Sequence, residues 1–219
     1  GVENPLYAKD KTILLTGDAK KTVQRLSAAL TEQLPEETIT EKTTPNNGAQ
    51  ALQALAGAKK IIIIPGYGMA LAKAQFDVVE LGSILEKRGA QVNYAMHPVA
   101  GRMPGHMNVL IAEAEVDYEN IVEMDEANPR FAGTDVAMVV GACDVVNPAA
   151  IDTEGTPISG MPILMAHEAR TVIICNVDKK PGYSGVANPL YDNGNAIMML
   201  GDAKLTTKRL ITALRADGG

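Results

Sequence analysis

The chain has 219 residues, enough for one α/β domain with extra segments or for one and a half domains, and its 46% hydrophobic and 21% charged content is that of an ordinary globular protein. A formal net charge of −6 argues against nucleic-acid binding and against docking on anionic lipid, and the longest apolar runs, Ile61 to Pro65 and Val136 to Ala142, are far too short to span a bilayer. Cys143 and Cys175 have neither CxxC nor zinc spacing, which fits a reducing compartment; the three histidines are scattered and suggest no metal site; and an opening at Gly1 without a signal peptide fits a fragment or a processed piece.

In chain order, residues 1–30 read as a loop, a strand, GDAK and a helix, and the same pattern returns at residues 185–214 with 16 of 30 positions identical. Residues 1–30 are either the tail of a preceding tandem domain or a second copy competing for one edge of the sheet. The later copy is expected to hold that place, with the first packing peripherally. Its loop closure is shorter, and Ile197 to Leu200 is a more continuous apolar run than Ile13 to Thr16.

Leu34 to Ala49 is polar, holds two prolines and reads as a linker. Apolar runs then mark strands at Lys60 to Ile64, Val92 to Met96, Ile121 to Met124, Val136 to Val140, Thr171 to Asn176 and Ala196 to Leu200. Helical periods cover Met69 to Arg88, His106 to Ala114 and Asp202 to Leu214. This alternation predicts an α/β fold, a mainly parallel sheet with helices on both faces that binds ligands at the carboxyl ends of its strands. The division that follows is a duplicated segment at 1–33 resembling 185–217, a polar linker at 34–47 and a dinucleotide-binding domain at 48–217.

Four loops carry the chemistry. Gly66, Tyr67 and Gly68 follow a buried strand and open a helix, with Gly66 permitting a tight turn and Gly68 a close approach of ligand to backbone. Leu71 stands where the usual dinucleotide fingerprint has its third glycine, and the next strand ends at Tyr94 to His97 with no acidic residue for a ribose. The loop from His97 to Asn108 places Arg102 before a helix start, where it could fork onto a phosphate or simply pair with a carboxylate. Asp144, in the loop from Gly141 to Ala150, is placed to hold a ligand, to titrate or to cap a turn, whereas Cys143 reads as a small packed residue. Asn176 to Gly185 reads as a lid, or as a plain surface loop.

Taken together, the stretches PGYGMALAKAQ from Pro65, HPVAGRMPGHMNVLIAEA from His97, GACDVVNPAA from Gly141, SGMPIL from Ser159, GYSGVANPLY from Gly182 and LGDAK from Leu200 resemble the NADP(H)-binding third domain of proton-translocating nicotinamide nucleotide transhydrogenase, the end of its beta subunit. The resemblance covers roughly residues 48–214. It implies a Rossmann-like, six-stranded parallel sheet with NADP(H) in reversed orientation, which accounts for the missing third glycine and acidic residue. It further implies hydride exchange with a separate NAD(H)-binding domain. A membrane-spanning domain outside this chain would couple the exchange to proton movement, at the cytoplasmic face of an inner membrane, or the matrix side in a mitochondrion.

By resemblance, Gly66, Tyr67, Gly68, Val99, Ala100, Gly101, Arg102, Met103, Pro104, Gly141, Ala142, Cys143, Asp144, Val145, Gly160 and Met161 line the nucleotide. Asn176, Val177, Asp178, Lys179, Lys180, Gly182 and Tyr183 belong to the lid, and Asp202 and Ala203 hold the adenosine end. His97 and Asp144 fall in the region implicated in proton coupling, and the dinucleotide itself carries the hydride chemistry without an acid or base from the protein. Two departures stand out. Asn176-Val177-Asp178 replaces the Lys-Arg-Ser that grips the 2′-phosphate of NADP, which suits NAD(H) unless Lys179 and Lys180 supply the cations. Cys143 stands where the family usually has Asn. A non-catalytic dinucleotide sensor and a stand-alone dehydrogenase are the competing functions.

Overall fold

Four consecutive isoleucines, Ile61 to Ile64, follow two lysines and precede Pro65-Gly66. Side chains branched at Cβ are stiff and pack well on a pleated surface, so such a run between turn formers makes a strand. All four are buried, which requires cover on both faces of the sheet. The chain divides into two units, residues 1–40 and 41–219. The computed structural model describes residues 45–217 and the single residue Thr22, so the first copy of the repeat and nearly all of the 34–47 linker lie outside the described residues.

The elements are α1 (Pro45–Gly57), β1 (Lys60–Pro65), α2 (Tyr67–Leu71), α3 (Gln75–Lys87), β2 (Gln91–Met96), α4 (His106–Glu113), β3 (Ile121–Glu123), α5 (Met124–Ala127), β4 (Val136–Val140), α6 (Ala149–Asp152), β5 (Thr171–Asn176), β6 (Ala196–Leu200) and α7 (Ala203–Asp217). The six strands form one sheet in the order β3-β2-β1-β4-β5-β6, with every pairing parallel. This is the doubly wound, Rossmann-like order, with its switch point between β1 and β4. Both β6 and α7 come from residues 185–217.

Alternate strand residues feed two cores, as the period of two demands. Ile61, Ile63, Met138 and Ile173 pack with Leu55 of α1, Leu81 of α3, Ile111 of α4 and Leu210 of α7. Ile62, Ile64, Val139 and Ile174 face Phe131, Leu164, Leu190 and Tyr191. The first face thus carries the long helices, while short helical turns cover the second. Two elements differ from the sequence reading. The segment read as linker ends inside α1, which begins at Pro45, a residue suited to a first helical position. The single helical period from Met69 to Arg88 is two helices, α2 and α3. Lys73 turns left-handed between them (φ 52°), and the N–H groups of Lys73 and Ala74 donate to Ala70 and Met69 carbonyls, closing α2 by a Schellman turn.

At the switch point the loops after β1 and β4 meet backbone to backbone. Gly66 N–H donates to Val140 O and Gly68 N–H to Gly141 O, each at 2.8 Å. Gly141 is left-handed (φ +68°), and a Cβ there would lie 2.3 Å from the Met69 nitrogen. Gly141→Ala therefore combines backbone strain with overpacking and is expected to lower stability by about 2–4 kcal/mol. Gly133→Ala, where nothing lies within 4 Å of the new methyl, is expected to be neutral or slightly stabilising. Urea unfolding of both variants checks the contrast.

Candidate functional site

The interlocked β1 and β4 loops leave a cavity of about 300 Å³ beside them, over the carboxyl ends of β4, β5 and β6. Its lining gathers Gly68, Gly141, Ala142, Cys143, Asn176, Val177, Asp178, Lys180, Asp202 and Ala203 from the expected site residues. Leu71, Ala72, Cys175, Tyr191 and Gly201 line it too and were not expected. Leu71, Ala72 and Gly201 are apolar or small and carry no chemical signature in a sequence, and Tyr191 and Cys175 reach the cavity only through the fold. At Gly68 the space read as open to a ligand is partly occupied by Gly141, whose Cα lies 2.8 Å from where a Cβ would stand.

Asn176 ends β5 and spans the cavity wall. Its Nδ2 donates to Ala142 O and to Tyr191 Oη, both at 2.9 Å. Burial raises the Tyr191 hydroxyl and the Cys143 thiol above their ordinary values, and full burial pushes Cys175 up to about 12. Both thiols therefore stay protonated near neutrality, and Cys143 is a packed lining residue.

Residues 182–188, after β5, are stitched to the β4 loop. Both Asp144 carboxylate oxygens are engaged by Ser184, Oδ2 by its N–H at 2.9 Å and Oδ1 by its hydroxyl at 2.7 Å. Gly182 sits so close that a Cβ would lie 2.8 Å from Asp144 Oδ1. Buried Asn147 donates toward Val186 and Ala187 carbonyls, and Asn188 Nδ2 donates to Cys143 O at 3.1 Å. Val186 also packs on a small apolar cluster with Ala150, Ile158 and Met161. Exposed Gly160 turns the chain just before Met161, its N–H held by Ala150 O at 2.8 Å. Val145 lies beside this segment, its carbonyl accepting from Leu164 N–H. Tyr183, by contrast, is fully exposed.

A second group of expected residues lies on the β1–β2 side, outside the cavity lining. The Arg102 guanidinium lies over the Tyr67 ring, 4.8 Å from its centroid. Arg102 N–H donates to His106 Nδ1 at 3.1 Å, and the Tyr67 and His106 rings are 6.4 Å apart. His106, which opens α4, thus joins the site unforeseen as a side chain. Val99, Arg102, Met103 and Pro104 are exposed, whereas Ala100 is buried and Gly101 partly so.

His97 is buried, with Nε2 at 2.8 Å from Pro162 O and Nδ1 accepting from Val99 N–H at 3.3 Å. A carbonyl can only accept and an amide N–H can only donate, so the ring is the neutral tautomer protonated on Nε2. His97 and Asp144 have separate partners and share no hydrogen bond.

Residues 27–213 match the family described as NAD(P) transhydrogenase beta subunit. Two curated relatives named NAD(P) transhydrogenase subunit beta, both from Rhodospirillum rubrum, are 49% identical over 160 residues, 73% of this chain and 34% of theirs. The chain therefore spans about a third of the length of these relatives. Among solved structures, an exopolyphosphatase-related protein from Bacteroides fragilis has a TM-score of 0.48 at 14% identity, over 80% of this chain and 45% of that one.

Burial holds the His97 pKa below its ordinary 6.5, against the opposing hydrogen bond to Pro162. A histidine with a depressed folded pKa adds stability that is present above the unfolded value and lost as pH falls through the folded one. The stability gap between wild type and His97→Gln is therefore expected to shrink as pH is lowered from 7 towards 5. Chemical denaturation at several pH values measures it, and a constant gap would contradict the buried neutral ring.

Proposed function

The chain belongs to the NAD(P) transhydrogenase beta subunit family, and from that premise we propose that its described domain holds a nicotinamide dinucleotide across the carboxyl ends of the strands and exchanges hydride with a separate NAD(H)-binding domain. The observation that carries this reading is the cavity beside the switch point, where small residues of the β1, β4 and β6 loops converge under the lid. Its volume of about 300 Å³ suits one half of a dinucleotide. The other half would extend outside the cavity towards exposed Arg102.

Arg102 is exposed and oriented by the Tyr67 ring, so its guanidinium is placed to fork onto a phosphate. Gly68, Ala142 and Ala203 give close backbone and methyl walls. Asp144 holds the end of the lid through Ser184, and the lid's task is to keep water from the reacting ring. When bound, the nicotinamide supplies the hydride chemistry. Proton coupling belongs to a membrane-spanning domain outside this chain, with the complex at the cytoplasmic face of an inner membrane or the matrix side in a mitochondrion. No helix among the described residues is long and apolar enough to cross a membrane. His97 and Asp144 are the coupling candidates, because each ties one loop to another segment, and a proton gained by the His97 ring would end its acceptance from Val99 N–H. The resemblance makes NADP(H) the expected dinucleotide. NAD(H) is the second reading, favoured by Asp178 in the cavity wall.

The test is hydride exchange between two nicotinamide analogues, with and without an added NAD(H)-binding domain. Exchange is expected only with the partner. Binding without exchange would favour a sensor, and turnover of a small organic substrate by the chain alone would favour a dehydrogenase. Arg102→Ala is expected to weaken dinucleotide binding by about 1.5–3 kcal/mol, or about ten- to a hundredfold, by calorimetry.

A further inference from the structure

The charges around the cavity bear on which dinucleotide enters it, an inference that rests on the dinucleotide reading above. Two carboxylates line the cavity, Asp178 after β5 and Asp202 after β6, and Lys180 is the one cation among its lining residues. Lys180 is paired with Asp178. Its Nζ lies 3.5 Å from Oδ2, and its own N–H donates to Oδ1 at 2.9 Å. Lys179, next in the chain, is absent from the lining and pairs with Asp192 at 2.9 Å. The amino end of α7 is occupied in the same way. Asp202 Oδ1 accepts the N–H groups of Lys204 and Leu205 at 2.9 and 3.1 Å, so the free donors that could receive a phosphate there already hold a carboxylate.

The cavity wall therefore carries a net negative charge. A phosphate monoester placed against it would meet two carboxylates. Recruiting the Lys180 ammonium to the phosphate would take the counter-charge from Asp178 and leave that carboxylate facing a second anion. A ribose diol is the opposite case, because its two hydroxyls donate and a carboxylate accepts. The position of the carboxylates also indicates which end of the ligand lies here. In the ordinary arrangement an acidic residue closing the second strand holds the adenosine ribose. Here β2 ends in buried Met96 and His97, and the carboxylates stand after β5 and β6 instead.

We infer that this domain selects the unphosphorylated dinucleotide, NAD(H), over NADP(H), with Asp178 as the specificity-determining residue at the 2′-position of the adenosine ribose.

The test is calorimetric titration of the full chain with NADH, NADPH, AMP and 2′,5′-ADP, repeated for Asp178→Asn. That substitution keeps an acceptor for Lys180 N–H, so the loop turn survives while the charge is lost. Wild type is expected to bind NADH at least tenfold more tightly than NADPH, and AMP more tightly than 2′,5′-ADP. In Asp178→Asn, NADPH affinity is expected to rise about tenfold, closing most of the gap. Equal or tighter binding of NADPH by wild type, or an unchanged ratio in the variant, would overturn the inference while leaving the dinucleotide site standing. Discrimination between the dinucleotides without discrimination between the two fragments would overturn the placement of Asp178 at the adenosine end. Failure of all four ligands to bind would instead overturn the dinucleotide reading itself.

Discussion

Between Gly68 and Gly141 no side chain intervenes. The amide of one donates to the carbonyl of the other at 2.8 Å, and a methyl group on either would strike the facing backbone. This contact fixes how the first and fourth strands hand over to their loops at the point where the sheet's winding reverses. A parallel sheet buries its strands under helices on both sides, so the carboxyl ends are the natural place for an opening. Here the two central loops lock together, and the opening lies beside them, over β4, β5 and β6.

The same β4 loop also receives residues 182–188, which follow β5. Asp144 takes both donors of Ser184, while Asn147 and Asn188 bridge the two chains of backbone from either side. Buried side-chain amides such as Asn147 and Asn188 are retained only when their partners are in place. One loop thus contacts the β1 turn on one flank and residues 182–188 on the other. His97 plays a similar part further along, joining the β2 loop to Pro162 as a neutral ring.

Much of this was legible in the sequence. The strand runs are short and apolar, most plainly Ile61 to Ile64 before Pro65-Gly66 and Val136 to Val140 before Gly141, and local pattern decides such elements. Helix α1 was missed because its buried stripe rests on Ala51 and Leu55 in an alanine- and glutamine-rich stretch that follows a polar, proline-bearing segment. The break at Lys73 was missed because a left-handed lysine gives no local signal, unlike a glycine. Within the site, polar residues such as Asp178 and Asp202 announced themselves, whereas Leu71, Ala72 and Gly201 did not. The partner of Asp144 lies 40 residues away and becomes visible only when β4 and β5 are side by side. Likewise Gly68 was read for a ligand, and its nearest neighbour is the backbone of a strand that follows much later in the chain.

The central claim is that a dinucleotide lies across the carboxyl ends of the sheet, against the interlocked loops and beneath the lid. Amide hydrogen exchange of the chain with and without saturating NADH tests it most directly. Protection is expected at residues 66–72, 99–104, 141–144, 176–185 and 201–203, with residues 57–60, 134–136 and 169–171 at the opposite ends of the strands unchanged. Protection confined to those opposite ends, or none in the loops after β1 and β4, would contradict the account.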